Sequence, residues 1–371
     1  MRPRAARGTA LARASQQLFL QLVRGRPGPQ GWPAEDAADW GGALTLLLAH
    51  GVAPLLHAWA LKEVSALPPA VIKHLHRIRA AELLVETRRE AALQRALAAL
   101  AGKDASPLPV LLLKGAASAR TLYAAPELRP RGDLDLLVSP VRFAEALARF
   151  DSAGYRHHPK VRGTAEEESG WHERTLIDPV DPSCVLDLHQ ELLQTGRQGL
   201  LAGGLLERSL PAPGLGGRAR LCSAEDALLS CVVSLGAHEL RSPLVVACDL
   251  ALLVGRCDLA MVARRAAEAR IERMLLLALR WLGWAAGEPT KAAALCGLPV
   301  DHHHLAALAE ALRLSSPLRA ALGAVAARYD VQRQPLSRAE QLVRKGLLID
   351  RPWDAVRFAA RTLQRALRLR L

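Results

Sequence analysis

The spacing of apolar residues divides the chain into helical outer regions and a central region with a different pattern. Apolar residues recur every three or four positions over residues 44–61 and 71–100, which predicts helices in both segments. A break in the first is expected at Gly51, and the second is expected to end near Gly102. The helical spacing returns at Ser223 and continues through most of the remaining sequence. The pattern therefore predicts helices on both sides of a central segment.

Short apolar runs bounded by glycine and proline characterise that central segment. Their length and flanking residues favour buried strands over helices. The predicted strands are 110–113, 133–138, 174–177 and 184–189, and short helices are predicted at 116–123 and 142–153. This mixture predicts a helix-rich α+β fold with a small mixed β-sheet, flanked by helices on either side.

The same changes of pattern predict how the chain is divided into regions. Four regions are expected: a basic tail and linker at 1–35, an N-terminal helical region at 36–104, a core containing the sheet at 105–210, and a C-terminal helical region at 218–371. Stretches rich in Gly and Pro lie near two of these boundaries, at 26–29 and 211–217.

Net charge narrows the range of partners. The 371 residues carry a formal charge of +13. A basic surface attracts nucleotides, nucleic acids and anionic lipids alike, because all of them carry phosphate. The sequence has no dense Lys and Arg block with interleaved aromatic residues, so it predicts no dedicated nucleic-acid groove. Nucleic acid nevertheless stays open as a partner.

The positions of the cysteines and the lengths of the apolar runs indicate the cellular compartment in which the protein is expected. None of the six cysteines forms a CxxC pair, so no structural zinc site is predicted, and single cysteines within apolar runs suit a reduced interior. The N-terminal segment lacks the apolar stretch of a signal peptide, and no run reaches the ~18–20 residues of a transmembrane segment. We therefore expect a soluble cytoplasmic protein.

Asp133 and Asp135 are the strongest candidates for chemistry. Residues i and i+2 of a strand point to the same face, so the two carboxylates repel each other unless a cation lies between them. Mg²⁺ or Mn²⁺ suits such a site, and Gly132 would allow a close approach of the backbone. The alternative is a solvated strand edge, but the apolar residues that follow the pair indicate a core strand.

Asp187 is the candidate third carboxylate, because it lies within another strand-like apolar run. A buried acid without a function is costly. It would join the first two around metal ions, or act as the base that deprotonates an acceptor hydroxyl. The alternative is a partly exposed acid on an edge strand. His189, on the same strand face, would hydrogen-bond a metal-binding carboxylate or serve a structural role.

Basic residues precede the acidic pair at two places. Lys114 and Gly115 end the first predicted strand, where a turn into a helix presents backbone N–H groups to phosphate and the lysine adds a charge. Arg129 and Arg131 would pair with phosphates, or would instead hold the aspartates in place.

Several other polar groups have weaker patterns. His238 and Asp249 lie in the helical region and would face a cleft or make contacts between helices. Three consecutive histidines at 302–304 are expected at the surface, because consecutive helical residues do not share a face. The basic amphipathic segment 356–371 is expected to dock on the helices of the protein itself.

Taken together, these segments resemble the bacterial uncharacterised nucleotidyltransferase family, which belongs to the polymerase-β-like nucleotidyltransferase superfamily. The central match comprises residues 111–115, 122–123 and 129–138, followed by 185–189. Residues 50–56 and the helical stretch around His238 and Asp249 extend the resemblance over most of residues 40–371.

The resemblance implies a nucleotidyltransferase core with a metal site and a triphosphate site. Lys114 and Gly115 would form the turn that holds the triphosphate of an NTP such as ATP, while Asp133, Asp135 and Asp187 would bind Mg²⁺. The implied reaction moves a nucleoside monophosphate to an unidentified peptide, sugar or protein acceptor. Two features depart from the family pattern: Lys-Gly-Ala replaces the usual Gly-Ser, and a longer gap precedes the acidic pair.

Two other functions share these residues. A catalytically silent nucleotide-binding or scaffold protein would keep the fold, although the intact acidic trio argues against it. A phosphotransferase would use the same metals for a different group, and the sequence does not separate it from a nucleotidyltransferase.

Overall fold

The protein is described by a computed structural model. It covers residues 3–23, 31–36, 38–61, 67–101, 107–158, 173–192, 202–238 and 241–286, together with parts of 308–350. The histidine run at 302–304 and the basic segment 356–371 lie outside the described residues. The five described cysteines are free thiols.

Four helices precede the sheet: α1 (Pro3–Val23), α2 (Trp40–Ala49), α3 (Ala53–Ala60) and α4 (Pro69–Ala101). The prediction of a tail differs from the structure at residues 3–23, where α1 packs against α2. Phe19 and Leu22 of α1 are fully buried. The reason is their spacing, because residues three apart share one face of a helix and give α1 an apolar side to bury.

The predicted break near Gly51 is confirmed, because α2 and α3 meet there at an angle of 116°. Gly51 has a φ of +67°, which glycine adopts without steric cost. The Cβ of any larger residue would lie 3.2 Å from Cγ1 of Val245. In addition, the Val245 amide donates to the His50 carbonyl oxygen at 3.1 Å. The sharp bend thus brings the N-terminal helices against the C-terminal ones.

The central region forms a seven-stranded mixed sheet in the described part of the chain. Its elements are β1 (Leu111–Leu112), α5 (Lys114–Thr121), β2 (Asp133–Leu137), α6 (Phe143–Ser152), β3 (Arg156–His157), β4 (Glu173–Ile177), β5 (Val185–His189), α7 (Ala202–Glu207), β6 (Leu210–Pro211) and β7 (Arg220–Leu221). The strand order is β3-β4-β5-β2-β1-β7-β6, with β2–β5 and β1–β7 parallel and the other pairs antiparallel. The predicted helix-rich α+β class is confirmed.

Helices follow the sheet, as predicted: α8 (Ala224–Ala237), α9 (Val245–Val254), α10 (Leu259–Glu268), α11 (Glu272–Ala286) and α12 (Ser316–Ala327). The Ser223 side chain caps α8 by accepting a hydrogen bond from the Asp226 amide. This cap occupies one of the N–H groups that a helix start leaves without a partner.

The two faces of the sheet are covered differently. Leu134 and Leu136 of β2 point to one face and pack with Leu186 of β5 and with Leu93 of α4 in one apolar core. Leu137 points to the other face and joins a second core, built mainly from the N-terminal and C-terminal helices. The polar positions of β2 share this second face, so they lie towards the helices that surround it.

No single helix in the described segments is long and apolar enough to cross a membrane, although α2 and α3 pass the length and composition test when taken together. Nothing in the fold tests the predicted boundaries at 36–104, 105–210 and 218–371, and they stay a prediction.

Candidate functional site

The acidic residues meet because β2 and β5 are parallel neighbours. Their register pairs Asp135 with Asp187 and places Asp133 opposite Val185. Side chains alternate along each strand, so Asp133, Asp135 and Asp187 all share the face opposite to that of Leu134, Leu136 and Leu186. The predicted convergence of two separate strands at one acidic surface is thereby found in the fold.

Asp135 is the most enclosed of these acids, with 1% of its surface exposed. Its Oδ1 atom lies 2.5 Å from Nζ of Lys114 and 2.9 Å from Nε2 of His189. Burial raises the pKa of this carboxyl, but the Lys114 charge and the His189 hydrogen bond outweigh burial and hold the pKa well below its usual range. Asp135 is therefore kept ionised inside the protein.

The pKa of Asp133 is shifted in the opposite direction, upwards. The charge of Asp135 and, to a smaller extent, burial raise the pKa of Asp133 to about 7. Burial also raises the pKa of Asp187, and the Asp135 charge adds to that effect. The Oδ1 atom of Asp187 is buried and has no hydrogen-bond partner in the described structure. Such an unsatisfied oxygen beside other carboxylates fits a site that takes a cation.

Asp135, Asp187 and His189 form a possible metal site. Each offers one ligand atom, and the three atoms lie within 4.8 Å of one another. Carboxylate oxygens suit Mg²⁺ and Mn²⁺, whereas an imidazole ligand suits a transition metal better than Mg²⁺. The predicted trio is thus brought together in part: Asp135 and Asp187 are joined by His189, and Asp133 lies two residues away along β2.

His189 also connects this cluster to β4. It is buried, and its Nδ1 atom lies 3.3 Å from Oε2 of Glu173. Glu173 and Thr175 lie opposite His189 and Asp187 in the β4–β5 register. The sequence pattern indicates His189 as a candidate but not Glu173. Polar and apolar residues alternate within 173–177, and this pattern places Glu173 and Thr175 on one face of the strand. It was the signal from which Glu173 could have been identified.

The turn between β1 and α5 carries the predicted phosphate-binding residues. Lys114 has a φ of +44°, and the first turn of α5 has no side-chain cap. A Cβ on Gly115 would lie 3.0 Å from Cβ of Arg131 and 3.3 Å from Nη1 of Arg129. A larger residue at position 115 would therefore press against two arginine side chains, which would have to shift. The uncapped N–H groups of α5 are suited to an anion.

Arg129 and Arg131 are buried, and each has a carboxylate partner outside the acidic cluster. Arg129 binds Asp249 through Nη2 at 2.6 Å, and Arg131 binds Glu86 through Nη2 at 2.8 Å. These contacts differ from the alternative in which the arginines hold the aspartates in place, since their partners are Asp249 and Glu86 and not Asp133 or Asp135. The prediction that they bind phosphate stays untested.

Asp249 has a role that the sequence left open. It lies on α9, and both Arg129 and the hydroxyl of Tyr123 donate to it, the latter at 2.7 Å. Burial lowers the pKa of the Arg129 guanidinium, but Asp249 more than compensates and the pKa ends above its usual value. Asp249 therefore ties the C-terminal helices to the segment that leads into β2.

A cleft of about 680 Å³ opens beside these elements. Its lining includes the predicted residues Lys114, Gly115, Arg129, Arg131, Gly132, Asp133 and Asp135, together with His238, Asp249 and other residues of α8 and α9. In the described part of the chain, no atom lies within 4 Å of the place where a Cβ on Gly132 would lie, so none of these residues requires a glycine there. The sequence predicts a close approach of the backbone at Gly132. The space beside Gly132 is open in the structure, and a ligand in the cleft would occupy it.

Sequence comparison identifies the family. The sequence model of a family described as "uncharacterised nucleotidyltransferase" matches residues 36–285, which is more than half of the 371-residue chain. No curated protein and no solved structure matches the chain. The matched segment contains both acidic strands, the Lys114–Gly115 turn and the helices that line the cleft. The chain therefore belongs to the uncharacterised nucleotidyltransferase family.

Proposed function

We propose that the protein is a metal-dependent nucleotidyltransferase that moves a nucleoside monophosphate from an NTP to an acceptor and releases pyrophosphate. The observation that carries this proposal is the parallel register of Asp135 and Asp187, with Asp133 on the same face. Family membership supports the class of reaction. The acceptor class proposed from the resemblance is a peptide, a sugar or a protein.

Asp133, Asp135 and Asp187 are the proposed metal ligands, with Mg²⁺ or Mn²⁺ as the ion. The buried, unpartnered oxygen of Asp187 supports this fit, as does the like-charge repulsion that raises the pKa of Asp133. When bound, the ion neutralises charge on the transferring phosphoryl group and the leaving pyrophosphate. His189 orients Asp135 through its hydrogen bond, in the way that residues behind a metal ligand fix its position.

The triphosphate is proposed to lie over the turn that begins α5. Backbone N–H groups of the uncapped first turn and the Lys114 ammonium group would meet its oxygens. The space beside Gly132 leaves room for it. Arg129 and Arg131 pair internally, so we assign them the role of shaping this turn against Gly115.

The alternative role for Asp187, in place of metal binding, is that of proton acceptor for the acceptor hydroxyl. Burial raises its pKa, and a carboxylate with a raised pKa is a better base than an ordinary surface aspartate. Its neighbours leave one oxygen without a hydrogen bond, so that atom is able to take the proton.

The test uses NTPs labelled at the α- or the γ-phosphate, with Mg²⁺ or Mn²⁺ and a cell lysate as the source of acceptors. Acceptor labelling from the α-labelled NTP alone is expected, and Asp135→Asn should abolish it. Asp151→Asn is the matched control, because that side chain is 57% exposed and lies on α6, outside the cleft.

The other outcomes separate the alternatives. Label transferred from the γ-phosphate alone would identify a phosphotransferase and contradict nucleotidyl transfer. Absence of any metal-dependent NTP binding would identify a catalytically silent or scaffold protein instead.

A further inference from the structure

The ammonium group of Lys114 lies where a cation bound to Asp135 would lie. Nζ of Lys114 is 2.5 Å from Oδ1 of Asp135, and that oxygen is also the one held by His189. The two residues differ in access, because the side chain of Lys114 is 27% exposed at the cleft and the side chain of Asp135 is 2% exposed. Lys114 is thus able to swing into the cleft, while Asp135 stays in place.

The backbone at Lys114 is held in an unfavourable conformation. Its φ of +44° lies in the left-handed region, and Arg270 is the other non-glycine residue with positive φ in the described segments. Glycine would adopt this conformation without strain. Strain of this kind persists where the surrounding structure imposes it and is concentrated at functional sites. Here it places a long cationic side chain at the end of β1, within reach of β2.

The balance of charge explains why a cation is needed at this point. Asp133, Asp135 and Asp187 share one face, and Glu173 lies beside His189. Arg129 and Arg131, which precede β2 in the chain, are paired with other carboxylates. Within the described residues, Asp135 has two cationic partners: His189, which is charged only when protonated, and Lys114. Without Lys114, like charges in a buried setting would repel one another.

We propose that Lys114 is an internal counter-ion, which occupies the metal's place on Asp135 and moves to the triphosphate when a divalent cation binds. This inference rests on the proposed function, because it concerns the same metal and nucleotide. Two cations cannot share one carboxylate oxygen at contact distance without strong repulsion. A metal that takes Oδ1 of Asp135 therefore displaces the lysine, and the displaced ammonium group becomes available to phosphate.

One consequence is that metal and nucleotide bind cooperatively. Metal alone must compete with Lys114, and nucleotide alone meets a lysine that is still engaged by Asp135. Each ligand helps to break the Lys114–Asp135 ion pair and so favours binding of the other. The two affinities are therefore positively coupled, by the same factor in both directions. The free protein would then bind a divalent cation weakly.

The first measurement is Mn²⁺ binding to nucleotide-free protein, followed by the electron paramagnetic resonance signal of the free ion. Lys114→Met removes the ammonium group at nearly constant length, and Lys114→Gly removes it while relieving the backbone strain at φ +44°. Both variants should bind Mn²⁺ about tenfold more tightly than the wild type, within the usual range of coupling between two ligands. Lys73→Met, an exposed position on α4, is the matched control and should bind as the wild type does.

The second measurement is calorimetric binding of a non-hydrolysable NTP analogue. With saturating Mn²⁺, the wild type should bind the analogue more tightly than Lys114→Met. Without Mn²⁺, the two proteins should bind it alike, because the wild-type lysine is still on Asp135.

Three results would contradict the proposed exchange, in which a divalent cation replaces Lys114 on Asp135. If both variants bind Mn²⁺ no more tightly than the wild type, Lys114 does not compete with the metal, although the proposed function stands. If the wild type binds the analogue more tightly with and without Mn²⁺, the lysine contacts phosphate independently of the metal. If neither the wild type nor the variants bind Mn²⁺, the exchange and the metal-dependent function fail together.

Discussion

Arg129 and Asp249 form a buried ion pair between residues 120 positions apart in the sequence, with three N–H···O contacts of 2.6 to 3.0 Å. The pair joins α9 to the segment just before β2, and the Tyr123 hydroxyl adds a further hydrogen bond to the same carboxylate. The C-terminal helices are thereby attached to the strand that carries Asp133 and Asp135.

Removing one member of this pair should destabilise the protein strongly. Asp249→Ala leaves the Arg129 guanidinium buried and uncompensated, which typically costs about 3–5 kcal/mol of unfolding free energy. Urea denaturation followed by circular dichroism measures the loss. Asp151→Ala, at an exposed position, should change the unfolding free energy by no more than about 0.5 kcal/mol. Equal midpoints for the two variants would contradict the assignment of Asp249 as a structural partner.

Replacing both members should separate the structural role of Arg129 from phosphate binding. Arg129→Met combined with Asp249→Leu removes both buried charges, and such exchanges are often neutral or stabilising. We expect the double variant to recover most of the stability that Asp249→Ala loses, and to bind the NTP analogue normally in calorimetry. A folded double variant without nucleotide binding would show that Arg129 contacts the phosphates.

Asp133→Asn should stabilise the metal-free protein, and more so at high pH. The pKa of Asp133 is raised from 3.8 to about 7 in the folded state, so folding disfavours its ionised form. The stability associated with the protonated carboxyl is present below pH 3.8 and is lost as the pH rises through about 7. Thermal denaturation in EDTA should therefore show a larger Tm difference between variant and wild type at pH 8 than at pH 5. A constant difference would contradict this prediction.

Metal should stabilise the wild type and not Asp187→Asn. A ligand that binds only the folded state adds about 2.7 kcal/mol when its concentration is one hundred times its Kd. Thermal shift measurements with increasing Mn²⁺ should show a rising Tm for the wild type, reversed by EDTA. The variant loses the carboxylate whose Oδ1 has no hydrogen-bond partner among the described residues, and should respond weakly. A full response in Asp187→Asn would exclude this side chain as a ligand.

Two glycines near the cleft offer a matched comparison. In Gly115→Ala the new methyl group would lie 3.0 Å from Cβ of Arg131, and overpacking of this kind costs about 1–3 kcal/mol. In Gly132→Ala it would meet no atom of the described residues within 4 Å, so stability should be preserved. Any effect of Gly132→Ala should appear as weaker NTP binding, because the methyl group would enter the proposed phosphate space. Equal loss of stability in both variants would contradict this geometry.

The sequence predicts some parts of the fold and not others, for physical reasons. The five-residue strands β2, β4 and β5 are long enough for apolar runs or alternation to reveal them. The two-residue strands β3, β6 and β7 were missed, because two residues carry no period. Helix α1 was missed because basic residues obscured its buried Phe19 face.

The candidate site also has features that the sequence predicts and features that it does not. The shared face of Asp133 and Asp135 follows from alternation alone. The contact between Asp135 and His189 depends on the register of two distant strands, which no local pattern encodes. The partners of Arg129 and Arg131 lie on separate helices, so the sequence indicated basic residues but not the carboxylates that engage them.

The parallel pairing of β2 with β5 also affects how the chain folds. Asp135 and His189 are 54 positions apart, so closure of a long loop must precede their contact. Contacts of such high sequence separation form slowly and tend to complete late. The unfolded chain therefore lacks a preassembled ligand set, and a divalent cation should slow unfolding far more than it accelerates refolding. In a chevron plot, added Mn²⁺ would shift mainly the unfolding arm.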